Sequence, residues 1–447
     1  MRGAAETTNI ETVLPVEAVS APGSERHFLF LQGPLSPLYR QMGRRLTAAG
    51  VRVSRINLCA GDWLHWPGPR TISFRGKVSV WPEFVERFIQ KNGITDLVVH
   101  GDQRIYHKAA IDVAFAVGAR VFVTELGLLR SGWMTLERNG LSTLSCFPDD
   151  PQQIRAVSES VGPIDLDNRF EKSTWLELGP DVIYNLLNVV ARPLFPHFQR
   201  HTIYSPVPEY LRGAWKMIRA KKRDREAAEV VARLKRLRGP LFLLPLQLEG
   251  DFQLRAHSPF DSFSEVLDTI LTSFARNAPA SAKLLIKSHP LDVGYENWPQ
   301  VIKDISRRRG LVGRVEYIDG GRMSDLFPLA SGLVTLNSTA GLEALMAGVP
   351  VKTLVPAHFD IVGMTHDGLL EDFWGAPKRP DTDLLAAYCR ALAGTVQVPG
   401  SIHNKQGTRI AAENMVRRML ECSVNEPGAY VFPPPRLERA RALGVPL

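Results

Sequence analysis

The sequence is short of cysteine, of long apolar runs and of recognised metal or nucleophile signatures. Its four cysteines, Cys59, Cys146, Cys389 and Cys422, show no CxxC spacing, which excludes a zinc ribbon or disulfide framework and suits a reducing compartment. No apolar stretch approaches the roughly 18 residues of a spanning helix. The first 25 residues, MRGAAETTNIETVLPVEAVSAPGSE, carry acids and no apolar core, so a secretory signal is not expected there. These absences predict a soluble or peripheral, cytoplasmic protein. GxSxG, HExxH and Walker A sequences are missing, and the carboxylates of DGLLEDFW and FPDDP lack the geometry of a dedicated metal site. Aromatic residues do not interleave with the basic run and no nucleic-acid reading module is recognisable, so nucleic acid is not an expected partner.

Charge, by contrast, is plentiful. Fifty-four Lys and Arg against 46 Asp and Glu give +8 and a pI near 9.3, which favours anionic partners such as phosphates or a lipid surface. The excess is partly local: residues 219–238, RAKKRDREAAEVVARLKRLR, hold nine cations against three acids. Trp215, Met217, Ile218, Val230, Val231, Leu234 and Leu237 alternate with those cations at roughly helical spacing. Such a stripe suits a membrane surface, domain packing or a solvated helix face.

Apolar runs separated by helical periodicity open at HFLFLQGP and continue through LYRQMGRRLTAAG, VRVSRINL, SVWPEFVERFIQKNG, TDLVVHGD, HKAAIDVAFAVGA and RVFVTELG. Strands alternating with helices predict a parallel sheet with ligands beyond its carboxyl edge. Gly33, Gly61-Asp62, Gly101-Asp102 and Glu125 fall there. Between 151 and 238 helical segments and proline-rich joints take over, and a second strand–helix series opens at GPLFLLPLQ. The expected fold is α/β and GT-B-like: two Rossmann-like domains facing across a cleft, with a helical linking segment. The expected divisions are a tail over 1–25, an acceptor-side domain over 26–150, the linking segment over 151–238, a donor domain over 239–400, and a terminal helix and tail over 401–447.

Three motifs carry chemistry. In LNSTAGLEALMAGVPV, Asn337, Ser338 and Thr339 occupy a strand-to-helix turn, where Ser338 or Thr339 can cap the helix and its N-H groups can meet a phosphate. Gly341 would leave the helix start open to close approach, and Glu343, one turn on, can accept from ribose hydroxyls. In LLIKSHPLD, Lys287, Ser288 and His289 end a strand, and Pro290 biases His289 toward an extended conformation aimed at the cleft. In FVTELGLLRSGWMTLERNG, Glu125, Arg130 and Glu137 offer two carboxylates beside a cation, suited to a general base or nucleophile. Each has a plainer alternative: helix caps without ligand, an ordinary turn histidine, and surface ion pairs.

Taken together, LQGPLSPLYRQMGRRLTAAG, NLCAGDW, HGDQRIYHKAA, TELGLLRSGWMTLERNGLS, PLQLEGDFQLRAHSPF, LIKSHPLD, LNSTAGLEAL and MTHDGLLEDFW resemble, over about residues 28–400, the capsule polysaccharide biosynthesis and export family, in its S-type β-Kdo transferase branch. The resemblance implies a GT-B fold, CMP-Kdo as donor, retention at the anomeric carbon, and transfer to a phosphatidylglycerol-type lipid at the inner membrane's cytoplasmic face. It implies that His289-Pro290 and Ser338-Thr339, with Lys287 and Asn337 beside them, hold CMP, that Glu343 meets the ribose, and that Glu137 is the nucleophile. Glu125, Arg130, Arg104 and His107, with Gly33 and Asp102 nearby, would move protons or hold the Kdo carboxylate and acceptor phosphate. The sequence departs from the family's pattern at Leu126, where relatives often carry a second acid, and in RSGW, which lacks a common proline. No metal or other cofactor is expected, because a helix N-terminus and basic groups can neutralise a departing CMP. Other capsule assembly and export proteins are further expected partners. A transferase of another CMP-activated acidic sugar, or a capsule export scaffold with a degenerate transferase fold, stands as the alternative.

Overall fold

The computed structural model describes residues 25–447 except 69, 70, 130, 168, 169, 172 and 237. Arg130 and Leu237, both singled out above, therefore lie outside the described residues. The first domain contains β1 (His27–Phe30), β2 (Arg52–Asn57), β3 (Thr71–Ser73), β4 (Asp96–His100), β5 (Arg120–Leu126) and β6 (Trp133–Arg138). The second contains β7 (Leu241–Pro245), β8 (Lys283–Lys287), β9 (Val315–Ile318), β10 (Gly332–Thr335) and β11 (Val351–Thr353).

The parallel strands of the first sheet run β3-β2-β1-β4-β5, and those of the second run β9-β8-β7-β10-β11. Both follow the 3-2-1-4-5 order of a mononucleotide-binding α/β sheet, with a topological switch between its first and fourth strands. Central strands are apolar on both faces. Phe28 and Phe30 pack with Met42, Leu46 and Met415, while Leu29 and Leu31 pack with Trp81, Val85 and Ala110. Burying each such Phe contributes about 1.5–3 kcal/mol. The helix Trp81–Asn92 starts with Pro82 in its first turn and stops at Gly93 in the left-handed region, φ 59°, the usual division of labour between those residues.

Two features escaped the sequence pattern. β6 turns back antiparallel to β5 and pairs Glu137 with Val123 and Thr135 with Glu125, so Glu125 and Glu137 lie on one sheet face, two register positions apart. The chain then re-enters the first sheet late. β12 (Gln397–Pro399) pairs antiparallel with β6, and the helix Lys405–Leu420 packs on Leu38–Ala48, so this return precedes the division drawn at 400. Arg436, wholly buried, donates to the carbonyls of Phe147, Pro148, Ala357 and His358 and ties the C-terminal segment to both domains.

The 151–238 segment supplies the helices Pro151–Val161, Thr174–Val190, Pro206–Ile218 and Ala220–Leu234. Its apolar stripe is divided. Val230, Val231 and Leu234 pack on the second domain's core, whereas Trp215, Met217 and Ile218 are 58–76% exposed.

Candidate active site in the interdomain cleft

At the first switch point, the segment following β1 brings Gln32 beside the loop after β4. Arg104 donates to Gln32 Oε1 at 3.2 Å, and its charge also faces Glu125, His100, His107 and His201. Glu125 ends β5 with a 43% exposed side chain, its Oε1 3.7 Å from His100 Nε2 and accepting from the Leu126 amide at 3.0 Å. Desolvation by the cleft walls raises its pKa, against the pull of Leu126 N-H and Arg104. Asp102 is buried and accepts from Leu141 N at 2.8 Å; burial lifts its pKa to about 6, with Glu125 adding repulsion.

The imidazoles here are neutral at pH 7. Burial holds His100 and His107 well below 6.5 and His201 at about 3, with Arg104 adding to each. His107 Nδ1 lies 2.8 Å from the Gly101 carbonyl and must carry the proton to bond it. That leaves the buried Nε2 an acceptor without a hydrogen-bond partner among the described residues. Gly33 serves packing: a Cβ there would stand 2.8 Å from the Tyr39 ring.

At the second switch point, Asn337 follows β10 and is buried. It accepts from Gln247 Nε2 at 3.1 Å and donates to Gln253 O at 3.0 Å, and Gln253 Nε2 in turn donates to Ser142 Oγ of the first domain at 2.6 Å. Ser338 Oγ accepts from Ala340 N at 3.3 Å, while Thr339, the N-cap residue, makes no side-chain capping bond. Gly341 is a packing position, since a Cβ would lie 2.7 Å from Phe359, and not the open approach its sequence context suggested. Glu343 stands in the first turn of the helix Ala340–Met346, half-buried.

His289 Nδ1 accepts from Leu291 N at 3.2 Å across the Pro290 turn. Lys287 turns elsewhere: burial lowers its pKa, and the nearest charges are Asp319, Lys216, Asp224 and Arg223. Between the ends of β7 and β8 lies a cavity of about 210 Å³ walled by His201, Gln247, Glu249, Asp251, Tyr295 and Glu296. Tyr204 stacks on Tyr295 with centroids 4.0 Å apart and donates to Glu296 at 2.8 Å.

Glu137 sits apart from the open cleft. Its side chain is 1% exposed, accepts from Ser145 Oγ at 2.5 Å and lies 3.5 Å from His358 Nε2 of the second domain. Sequence reasoning missed His100, His201, Asp251, Gln247 and His358. Asp251 repels Glu125 from the opposite domain, though burial is the larger cause of its raised pKa. The string QLEGDF after β7, placed as QGP is after β1, was the signal that Gln247 and Asp251 reach the cleft.

Two 3-2-1-4-5 sheets whose switch points border one crevice define a GT-B-type protein. The capsule polysaccharide biosynthesis protein family matches residues 95–403, and this chain belongs to that family. It is 30% identical over 379 residues to the capsule polysaccharide export protein KpsS of Escherichia coli, covering 84% of this chain and 96% of the relative. It is 29% identical over 408 residues to the capsule polysaccharide modification protein LipB of Neisseria meningitidis serogroup B, covering 88% and 96%. Among solved structures it is similar to the β-Kdo 2,7 transferase KpsC of Thermosulfurimonas dismutans, at 16% identity and a TM-score of 0.44 over 89% of this chain and 99% of that one.

Proposed function

We propose that this capsule biosynthesis protein is a retaining β-Kdo transferase that moves Kdo from CMP-Kdo to a phosphatidylglycerol-type or lysophosphatidylglycerol lipid, initiating the poly-Kdo linker of a capsular polysaccharide. The observation that carries the reading is Arg104, ringed by neutral imidazoles and beside Glu125, at one switch point of a cleft whose other switch point is a nucleotide-type crevice. A guanidinium among uncharged rings suits the planar carboxylate of an acidic sugar. The second-domain cavity suits cytidine: Glu249 and Glu296 can accept from its amino group, in the manner of acidic side chains reading cytosine. The Ser338 and Thr339 hydroxyls and the His289 ring would meet the phosphate, and Glu343 the ribose. The reaction so drawn uses no metal, because Arg104 and these donors carry the charge neutralisation.

Retention follows from two displacements. A glutamate oxygen bonds to the anomeric carbon as the bond to CMP's phosphate oxygen breaks, and CMP departs with that electron pair. The acceptor hydroxyl then bonds to the same carbon and releases the glutamate, its proton passing to a base. Glu125 is the carboxylate open to substrate. Attack by Glu137, the residue the resemblance favours, requires the second domain to withdraw His358. The protein would work at the cytoplasmic face of the inner membrane beside other capsule assembly proteins. No helix among the described residues is long and apolar enough to cross a membrane.

The test is incubation with freshly generated CMP-Kdo and lysophosphatidylglycerol, read by mass spectrometry, with peptide mapping of any trapped Kdo adduct. Addition of one Kdo mass establishes the transferase, and the adducted peptide names the nucleophile. Turnover of a different CMP-sugar moves the donor assignment; failure to bind CMP leaves the scaffold.

A further inference from the structure

The helical segment presents an apolar face that no other described element covers. The helix Thr174–Val190 is anchored on its inner side, where Asn188 Oδ1 accepts from Gly61 N at 2.7 Å and the Tyr184 hydroxyl meets Gln32 Nε2 at 2.5 Å. A Cβ at Gly61 would strike the Tyr184 ring at 2.4 Å. Its outer side exposes Trp175, Leu178, Val182, Leu186 and Val190, whose spacing of three to four residues makes one stripe. The helix Pro206–Ile218 exposes Val207, Leu211, Trp215 and Ile218 at the same spacing. The Tyr210 hydroxyl donates to Asp181 Oδ2 at 2.7 Å and accepts from Asn185 Nδ2 at 2.8 Å, so the helices are cross-linked, and Val189 and Val207 border one bay between them.

Nine large apolar side chains exposed on two cross-linked helices mark an interaction site, and charge indicates its partner. Arg192 and Arg219 are exposed at the ends of the two stripes, and Lys221 and Arg225 on the helix that follows, beside the exposed Asp224, Glu226 and Glu229. Arg212 donates to Gly294 O at 2.7 Å and lies over the Tyr295 ring, Lys222 pairs with Glu226 at 3.6 Å, and Lys216 and Arg223 are committed to Asp319 at 3.0 Å each. Asp181 is engaged by Tyr210, and Glu209 is half-buried with its pKa raised by burial. An apolar stripe rimmed by cations suits the interface of an anionic bilayer. A second copy of the face would oppose the same cations to one another. A bay of about 510 Å³ between the stripes, lined by Val189, Arg192, Phe195, Phe198, Arg200 and Val207, offers two guanidinium groups to a lipid phosphate.

We infer that this two-helix face docks on an anionic phospholipid surface, its apolar stripes entering the bilayer interface and its rim cations meeting the headgroups. The inference rests on the transferase reading for its purpose, since the docked helix also carries Tyr184, which holds Gln32 and through it Arg104. The surface evidence stands apart from that reading.

The experiment is flotation of the full-length protein with vesicles of phosphatidylcholine alone and of phosphatidylcholine with phosphatidylglycerol. Light scattering in solution and calorimetric binding of CMP accompany it. Expected is binding to the anionic vesicles that weakens as salt is added. Leu186→Glu with Leu211→Glu should weaken it by about tenfold or more while leaving the thermal midpoint and CMP affinity unchanged. Arg192→Ala with Arg219→Ala and Lys221→Ala should reduce the preference for anionic vesicles. Equal binding by wild type and the double Glu variant overturns the proposal. So does a wild-type dimer that the double Glu variant converts to monomer with no vesicle binding. Vesicle binding without CMP binding supports docking and removes the transferase; CMP binding and Kdo transfer without vesicle binding does the reverse.

Discussion

His358 Nε2 stands 3.5 Å from Glu137 Oε1, and both side chains are buried where the two domains meet. His358 Nδ1 lies 2.7 Å from the Tyr388 hydroxyl, and Arg436 donates to the His358 carbonyl at 2.7 Å. Burial lowers the His358 pKa against the opposing pull of Glu137, so the ring is neutral at pH 7. His358→Ala strips this seam of its polar partner and opens a cavity, and should cost about 2–4 kcal/mol. Urea unfolding measures it; an unchanged midpoint would mean the seam is not closed in solution.

Glu125→Gln should retain CMP binding and slow Kdo transfer by about a hundredfold or more, the usual scale for loss of an acid–base or nucleophilic carboxylate. Glu137→Gln is the necessary companion. If Glu137 forms the adduct, its Gln variant loses the trapped species, whereas Glu125→Gln accumulates or slows it.

Arg104→Lys keeps the charge but loses the planar fork. We expect roughly tenfold weaker use of the acidic-sugar donor, with free CMP binding unaffected. Steady-state kinetics set beside calorimetry with CMP separates the two effects.

Asn337→Ala removes the acceptor of Gln247 and the donor to Gln253 O, the chain that continues to Ser142. Stability should fall by about 1–3 kcal/mol, and CMP affinity should fall with it because the crevice loses its spacing. Asn337→Asp, which keeps the acceptor, should retain the Gln247 contact and recover part of both.

Stability should decline as the pH drops from about 6.5 toward 4. Burial lowers His65 and His257 to about 4 and His201 to about 3. The unfolded chain therefore takes up more protons over that interval, and folding loses free energy as acid is added. Asp102, raised to about 6 by burial, acts oppositely: its ionisation erodes stability as pH rises from about 4 to 6. His100, His107 and His358, also lowered by burial, add to the loss, while Glu125, Asp251 and Glu209, raised by burial, oppose it; the histidines, whose ordinary range lies higher, act first as pH falls below 6.5 and leave a net loss toward acid. His257→Gln should flatten the slope and Asp102→Asn should steepen it, as read from urea midpoints at pH 7 and pH 5.

Much of this architecture is legible without coordinates. The runs HFLF and KLLIK must be strands between covering layers, and their alternation with helical periods requires parallel sheets. The loops after such strands must line a cleft, so Asp102, Glu125 and Asn337 could be named from their positions alone, whereas Arg104 is implied only by the family resemblance. Periodicity and turn chemistry act within a few residues, and a linear sequence displays them directly.

What each side chain finally touches was decided by the tertiary structure. Glu137 and Glu125 carry the same carboxylate twelve residues apart, but the antiparallel return of β6 leaves one in the open cleft and puts the other under His358. Gly33 looks like part of the sugar-carboxylate site and Gly341 like a ligand clearance, and they prove to accommodate Tyr39 and Phe359. The basic stripe reads as one amphipathic surface, yet Val230 and Leu234 meet a core while Trp215 and Ile218 face outward. In each case the deciding neighbour comes from a distant part of the chain, and long-range packing, unlike helical or strand period, leaves no local mark in sequence.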